Sequence, residues 1–380
     1  MVRAAGATII SPIVPGRHPQ DSQVHLQGIV YSSNESEPKM IGIGVIGCGY
    51  WGPNLIRNFN SQADANLIAI SDLDENRLNT VGLLYPNTRK TTDYRDLIND
   101  PAIDAVVVAT PMSTHFDLGM EVLAAGKHLF VEKPMATNSD DCRTLIKTAA
   151  ANDLKLMVGH TFVYSPPVRM IKQLLDDGEL GDIYYVNISR VNLGIFQKDA
   201  NVIWDLAPHD VAMLNFLFGA EPVAVSATGH CYVQKERQIE DVAFVTLEYP
   251  GGKLVHIHVS WLDPNKIRTC TFVGSKKMLV YDDVSPSEKI RVYDKGVDVQ
   301  PHYEGFGEFQ LLYRSGDIFL PHVDTYEPLK SQAAHFLEYI QGKVACQSDG
   351  THGLKVVEVL EAACLSLKED GRRISLELIA

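Results

Sequence analysis

The sequence predicts an α/β chain in two parts: a parallel, helix-covered sheet, then an α+β domain with a large, mostly antiparallel open sheet. Three observations predict it. Short apolar runs alternate with helix-length amphipathic segments from Ile41 to about residue 160, the pattern of a parallel sheet covered on both faces. Beyond about residue 165 the apolar runs lengthen and partly alternate with polar residues, as half-covered antiparallel strands do. A glycine-rich turn, Gly47-Cys48-Gly49-Tyr50-Trp51-Gly52, joins the first expected strand to the first expected helix.

The elements follow in order. Ile41–Ile46 is a short apolar strand, and Gly52–Phe59 begins a helix in which Pro53 suits the first turn, where its missing N–H is not needed. Asn66–Ser71 is a strand, Glu75–Leu84 and Asp93–Ile98 are helices, and Asp104–Ala109 is a strand. Helix His115–Ala125 stops at Gly126, in the usual C′ position. Strand His128–Glu132, helix Ser139–Asn152 and strand Lys155–Gly159 complete the first sheet, giving a first domain over residues 40–161. The second domain, 162–380, holds strands Ile183–Val191, Val223–Tyr232, Val242–Tyr249 and Lys253–Trp261. Pro250-Gly251-Gly252 marks a hairpin turn. Strands Ile267–Val273, Met278–Tyr281 and Lys289–Tyr293 follow, with helices at Pro208–Phe218, Leu329–Gln341 and Gly353–Lys368. Residues 295–327 read as a long loop, a lid or an oligomer contact. Residues 1–39, punctuated by Pro12, Pro15, Pro19 and Pro38, show no long period. They read as a mobile extension or as sequence upstream of a start at Met40; the alternative is an arm on a neighbouring subunit.

Composition narrows the function. At 380 residues and 45% hydrophobic content the chain suits two globular domains. No run approaches the ~18 apolar residues of a membrane helix, and the first residues lack a secretory pattern. A net charge of −13 disfavours a nucleic-acid partner. Cys48, Cys142, Cys231, Cys270, Cys346 and Cys364 are scattered, so they read as small apolar residues in a reducing, cytoplasmic setting.

The glycine turn reads as a dinucleotide site. The first glycine permits the tight turn, the second lets backbone approach a pyrophosphate, and the third lets helix and strand pack closely. The phosphate then meets free N–H groups at the helix start. Asp72 ends the second strand about twenty residues past Gly52, where a carboxylate takes the ribose hydroxyls of NAD and repels the extra phosphate of NADP. Arg77 nearby is the argument for NADP, although a solvated helix arginine explains it as well. The whole points to a Rossmann domain with NAD as cofactor.

With this turn and the segments that follow it, the sequence resembles the Gfo/Idh/MocA family of sugar and cyclitol oxidoreductases from about Ile41 to the end. Four segments carry the resemblance: Gly44–Asn54; Ala109-Thr110-Pro111 with His115; Ala125-Gly126-Lys127-His128 through Glu132-Lys133-Pro134; and Asp205-Leu206-Ala207-Pro208-His209-Asp210. Val259-Ser260-Trp261-Leu262-Asp263-Pro264, Val273-Gly274-Ser275 and Leu279–Asp282 are similar to the UDP-N-acetylglucosamine 3-dehydrogenases of the family. The resemblance implies cofactor contacts from Gly47, Gly49, Gly52, Asp72, Thr110, Pro111, His115, Glu132 and Lys133. It also implies a catalytic Asp205 and His209, a sugar or nucleotide-sugar substrate, and a homodimer or homotetramer. Cyclitol or antibiotic amino-sugar dehydrogenases and ketoreductases are the alternative. So is a regulator that binds NAD without catalysis, since a yeast galactose-pathway repressor belongs to the family.

The chemistry of these residues is consistent with that. Lys133 lies just past the C-terminal edge of a strand, where open α/β sheets bind ligands. Its ammonium can steady a developing alkoxide. Pro134 keeps Lys133 out of helical geometry. Because Pro208 sits between Asp205 and His209, the helix is expected to begin at or after residue 207. A neutral His209 suits a general base, with Asp205 orienting its ring. On spacing alone, a capping aspartate and a surface histidine are an equal reading. His160 and Tyr164 can line the cleft, and Tyr50 and Trp51 are packing residues or a cover over the cofactor. His256 and His258 alternate along a strand, but no third ligand completes a metal set.

Overall fold

The computed structural model describes residues 40–299 and 311–376. The expectations for residues 1–39 lie outside it.

The first sheet is built from β1 (Ile41–Ile46), β2 (Ala65–Ser71), β3 (Arg89–Thr91), β4 (Ala105–Val108), β5 (His128–Val131) and β6 (Leu156–Val158). Among the described residues it has six strands in the order β3-β2-β1-β4-β5-β6, and the pairs are parallel. Strands β1 and β4 are apolar throughout because both their faces are covered. The covering helices are α1 (Gly52–Asn60), α2 (Glu75–Gly82), α3 (Arg95–Ile98), α4 (His115–Ala124) and α5 (Ser139–Ala151). Gly126, at φ 73°, closes α4 in the left-handed conformation expected of a C′ glycine. The order reverses direction at β1, so loops after β1 and β4 diverge and leave a crevice at the C-terminal edge.

After α6 (Pro166–Asp176) and β7 (Ile183–Val191), α7 (Val202–Phe218) leads into β8 (Ala224–His230), β9 (Val242–Tyr249) and β10 (Lys253–Ser260). Next come β11 (Ile267–Gly274), β12 (Met278–Asp282), β13 (Ile290–Val299), β14 (Leu311–Phe319), α8 (Pro328–Ile340), α9 (Gly350–Lys368) and β15 (Ile374–Ser375). The described strands form a second sheet in the order β14-β13-β12-β11-β7-β10-β9-β8-β15. Its pairs are antiparallel except β7 with β10. Helices α7 and α9 cover one face, against which Val255, Ile257 and Val259 of β10 are buried.

Two expectations change. Residues 295–327 are not one long loop: β13 runs on to Val299 and pairs with β14, with residues 300–310 outside the description. The strands were hidden by their charge, since Asp294, Lys295, Asp298, Arg314 and Asp317 interrupt any apolar alternation. Arg314 joins them by ion pairs to Asp294 and Asp298. Helix α7 also begins well before residue 207. The Asn201 side chain accepts from the Trp204 N–H at 3.2 Å and caps the helix there. Pro208 falls inside the helix, where it removes one backbone donor without ending it.

Candidate active site

The glycine turn closes on itself through contacts that admit no side chain. Gly47 has φ 105°, and a Cβ there would meet the Ala109 carbonyl oxygen at 2.5 Å. A Cβ on Gly52 would meet the Gly47 oxygen at 2.0 Å. Gly49 differs: its missing Cβ faces open space up to the Arg77 guanidinium at 3.7 Å. The start of α1 carries no side-chain cap and no acid in its first turn. Pro53 has no N–H and the Asn54 N–H is held by the Trp51 carbonyl at 3.0 Å, which leaves the Gly52 N–H available to an anion. A pyrophosphate fits this cradle.

Asp72 stands beside the turn. Its Oδ2 accepts from the Cys48 N–H at 2.6 Å and its Oδ1 from the Asp74 N–H at 2.8 Å. Each oxygen keeps a lone pair for a ribose hydroxyl. Trp51 reaches the other way and donates through Nε1 to Glu132 Oε1 at 2.9 Å. Tyr50, 91% exposed, stacks beside Trp51 and makes a cover over the crevice sterically open to it. Thr110 bonds Thr114 through paired hydroxyls, and Pro111 is exposed at the end of β4.

His115 does not open on the crevice. It is buried, with Nδ1 2.7 Å from the Pro134 carbonyl oxygen and Nε2 2.9 Å from that of Thr110. It ties the two loops that flank the crevice. Helix α4 starts at this residue, and the short turn before it aims the ring inward.

Lys133 follows β5, and the Lys133–Pro134 peptide is cis. Its Nζ donates to the Asp205 carbonyl oxygen at 2.9 Å and lies 3.8 Å from Asp205 Oδ1. Burial pulls its pKa down from the usual lysine range, while Asp205 and Glu132 act against that. Glu132 is pushed up to about 7 by burial, against the pull of Lys133.

Asp205 and His209 are one turn apart on α7 and share a face. They are not bonded to each other as expected. Asp205 Oδ2 accepts from Trp261 Nε1 at 2.9 Å, so its carboxylate serves Lys133 and the indole. The His209 Nδ1 is buried without a partner. Burial holds His209 well below the usual imidazole range, reinforced by Lys133, Arg190, His160 and Arg268. His160 is 2% exposed, and neither ring nitrogen has a partner. Tyr164 leaves the expected site: it is buried, with its hydroxyl 3.0 Å from Ser348 Oγ and its ring against His335. The residue after a buried strand end need not face the cleft, and here the 3-10 turn Thr161–Tyr164 turns the phenol into the core.

His256 and His258 both stack on Phe244, at 6.0 and 4.4 Å between ring centroids. Among the described residues no group of three or more His, Cys, Asp or Glu side chains is arranged to hold a metal. Trp261, Arg190 and Phe162 were missed as site neighbours. Only Trp261 carried a signal, as the residue directly after β10.

Residues 41–160 match the family described as an oxidoreductase family with an NAD-binding Rossmann fold, and residues 168–280 match its C-terminal domain. The chain belongs to the Gfo/Idh/MocA oxidoreductase family. Its first domain is the NAD-binding Rossmann domain of that family. The inositol 2-dehydrogenase of Rhizobium meliloti is 30% identical over 221 residues, which are 56% of this chain and 66% of that protein. This chain thus matches about two thirds of that relative's length. Among solved structures, GenD2 from gentamicin A biosynthesis, in complex with NAD, has a TM-score of 0.74 at 22% identity, over 90% of this chain and 97% of that one. UDP-N-acetylglucosamine 3-dehydrogenase GnnA from Acidithiobacillus ferrooxidans has a TM-score of 0.71 at 23% identity, over 87% and 98%. At such identities these two structures speak to the fold alone.

Proposed function

We propose that this oxidoreductase transfers hydride between NAD and a pyranose carbon bearing a hydroxyl or ketone, at C3 of a nucleotide-linked amino sugar. The observation that carries the reading is the meeting of Lys133 with Asp205 beside His209, a cation and a base at the edge of a dinucleotide crevice. Gly47, Gly49, Gly52 and the start of α1 hold the pyrophosphate, and Asp72 holds the adenosine ribose. Thr110, Pro111, Glu132, Tyr50 and Trp51 are the further residues that would contact the cofactor. When bound, NAD supplies the hydride acceptor.

The chain's own residues handle the proton. Lys133 donates a hydrogen bond to the reacting oxygen and steadies its growing negative charge. His209, neutral because buried, takes the hydroxyl proton as the oxygen becomes a carbonyl. Asp205, itself held by Trp261, keeps Lys133 in place. His160 lies close enough to Lys133 to feel its charge and close enough to His209 to act on it, which supports a contact with the sugar.

A cyclitol substrate is the second reading, favoured by the 30% identity with an inositol 2-dehydrogenase. A regulator that binds NAD without catalysis would not need Lys133, Asp205 and His209 together. The same proposal includes a homodimer or homotetramer that covers the open face of the second sheet. There Leu254 and Tyr185 are register neighbours, and both are exposed, as is Phe244. It also includes a cytoplasmic setting, supported by six free thiols. The test is a screen of UDP-N-acetylglucosamine, other nucleotide sugars and cyclitols for reduction of NAD, with the ketone located in the product. A C3 ketone from the nucleotide sugar supports the first reading. Turnover of cyclitols alone moves the assignment to the second, and no turnover with tight NAD binding moves it to a regulator.

A further inference from the structure

Beside His209 lies a stack of side chains that the proposed chemistry leaves without a task. Arg190 in β7 donates through Nε and Nη2 to the two carboxylate oxygens of Asp210, at 2.8 and 2.7 Å. Both residues are buried. The guanidinium carbon lies 4.7 Å from the centroid of the Phe162 ring. That ring lies 5.2 Å from the imidazole of His209, tilted by 58°. The sequence of groups is carboxylate, guanidinium, phenyl, imidazole. They come from α7, β7, the turn after β6, and α7 again.

A buried ion pair is weak evidence for stability, because desolvation of both charges offsets most of their attraction. Its position suggests a different use. Asp210 directly follows His209, and an unpaired buried carboxylate there would favour a charged imidazole. Arg190 neutralises that carboxylate, and its guanidinium rests against Phe162. The phenyl ring meanwhile supports an imidazole whose Nδ1 has no hydrogen bond to hold it. We propose that Arg190, clamped by Asp210, is a positioning residue for His209: it sets the ring's place through Phe162 and screens the imidazole from the Asp210 carboxylate, so that the ring stays neutral until it takes the substrate's proton.

The other groups that face His209 act in the same direction. They are Lys133 from the loop after β5, His160 from the end of β6 and Arg268 from β11. On its own helix Asp205 and Asp210 would act against them, and both carboxylates are engaged, by Trp261 and Lys133 and by Arg190. Arg190 is therefore the cation whose removal also frees an acid.

The inference rests on the proposed role of His209 as base, and its test does not need turnover. The titration of His209 is followed by NMR of histidine-labelled full-length protein, with the resonance assigned by its loss in His209→Gln. In Arg190→Gln the midpoint should rise by about one pH unit, a tenfold gain in proton affinity. Arg190→Lys should restore most of that shift because the charge remains. Phe162→Leu keeps the ion pair and should leave the midpoint near wild type. With the best substrate of the screen, Phe162→Leu should lower kcat about tenfold with little change in KM. An unmoved midpoint in folded Arg190→Gln overturns the inference. If Arg190→Gln does not fold, wild-type kcat in Phe162→Leu overturns it instead. A failed substrate screen with a shifted midpoint would leave the clamp standing and remove the proposed reaction.

Discussion

At Glu132, burial works against charge within one residue of the proposed catalytic lysine. The carboxyl is 7% exposed and its pKa is pushed up to about 7. A folded carboxyl with a raised pKa binds more protons than the unfolded chain between its ordinary value and 7. Its ionisation therefore costs stability as pH rises through that window. A shift of this size corresponds to about 3 kcal/mol once the group is fully ionised. Glu132→Gln keeps an oxygen for Trp51 and should be more stable than wild type at pH 8 by up to about that amount. The gap should close by about pH 4.5. Urea melts at the two pH values check this, and equal stability at pH 8 contradicts it. The same scale holds the cofactor choice. Asp72→Ser should weaken NAD and relieve the repulsion of NADP, read as the ratio of the two dissociation constants. Tighter binding of NADP than NAD by wild type would contradict the role given to Asp72. The glycines, Lys133, Asp205 and His209 stand out as candidates in the sequence because each sits in a short motif, and Asp72 because it ends the second expected strand. What Asp205 bonds to was not legible, because Trp261 is 56 residues away and arrives through strand pairing.

Helix α7 is the element that brings the site together. Asn201 caps it, and its amide also donates to Glu240 at 2.9 Å. Asn201→Ala should cost about 1 kcal/mol of stability. Because Lys133 leans on the Asp205 carbonyl in the first turns, fraying there should also lower turnover while NAD binding persists. Unchanged turnover in a destabilised variant would separate the cap from the site. The parallel sheet and its helices were readable because strands buried on both faces leave continuous apolar runs. The start of α7 is hard to place from sequence because Pro208 suggests a helix boundary, although proline at that depth removes only one donor and the cap is Asn201. Helix α6 was missed although its two leading prolines suit a first turn, and β14 was missed because an edge strand buries no continuous face.

Across the whole molecule, residues 40–299 and 311–376 carry every motif on which the proposed chemistry depends. A chain beginning at Met40 should therefore keep the turnover of the full chain. Loss of turnover with intact folding and NAD binding would give residues 1–39 a part in the site. The central claim is that Lys133 and His209 act on one hydroxyl proton at the edge of the NAD crevice. It is tested most directly by single-turnover NADH formation in wild type, Lys133→Ala, His209→Ala and the double variant. NAD binding is followed separately by fluorescence. General acid–base catalysis contributes about 10²–10⁴-fold, so each single variant should lose roughly that factor while NAD binding persists. The double variant should lose far less than the product of the two, because residues acting on one proton work as a unit. Near-wild-type rates in both single variants would contradict the account.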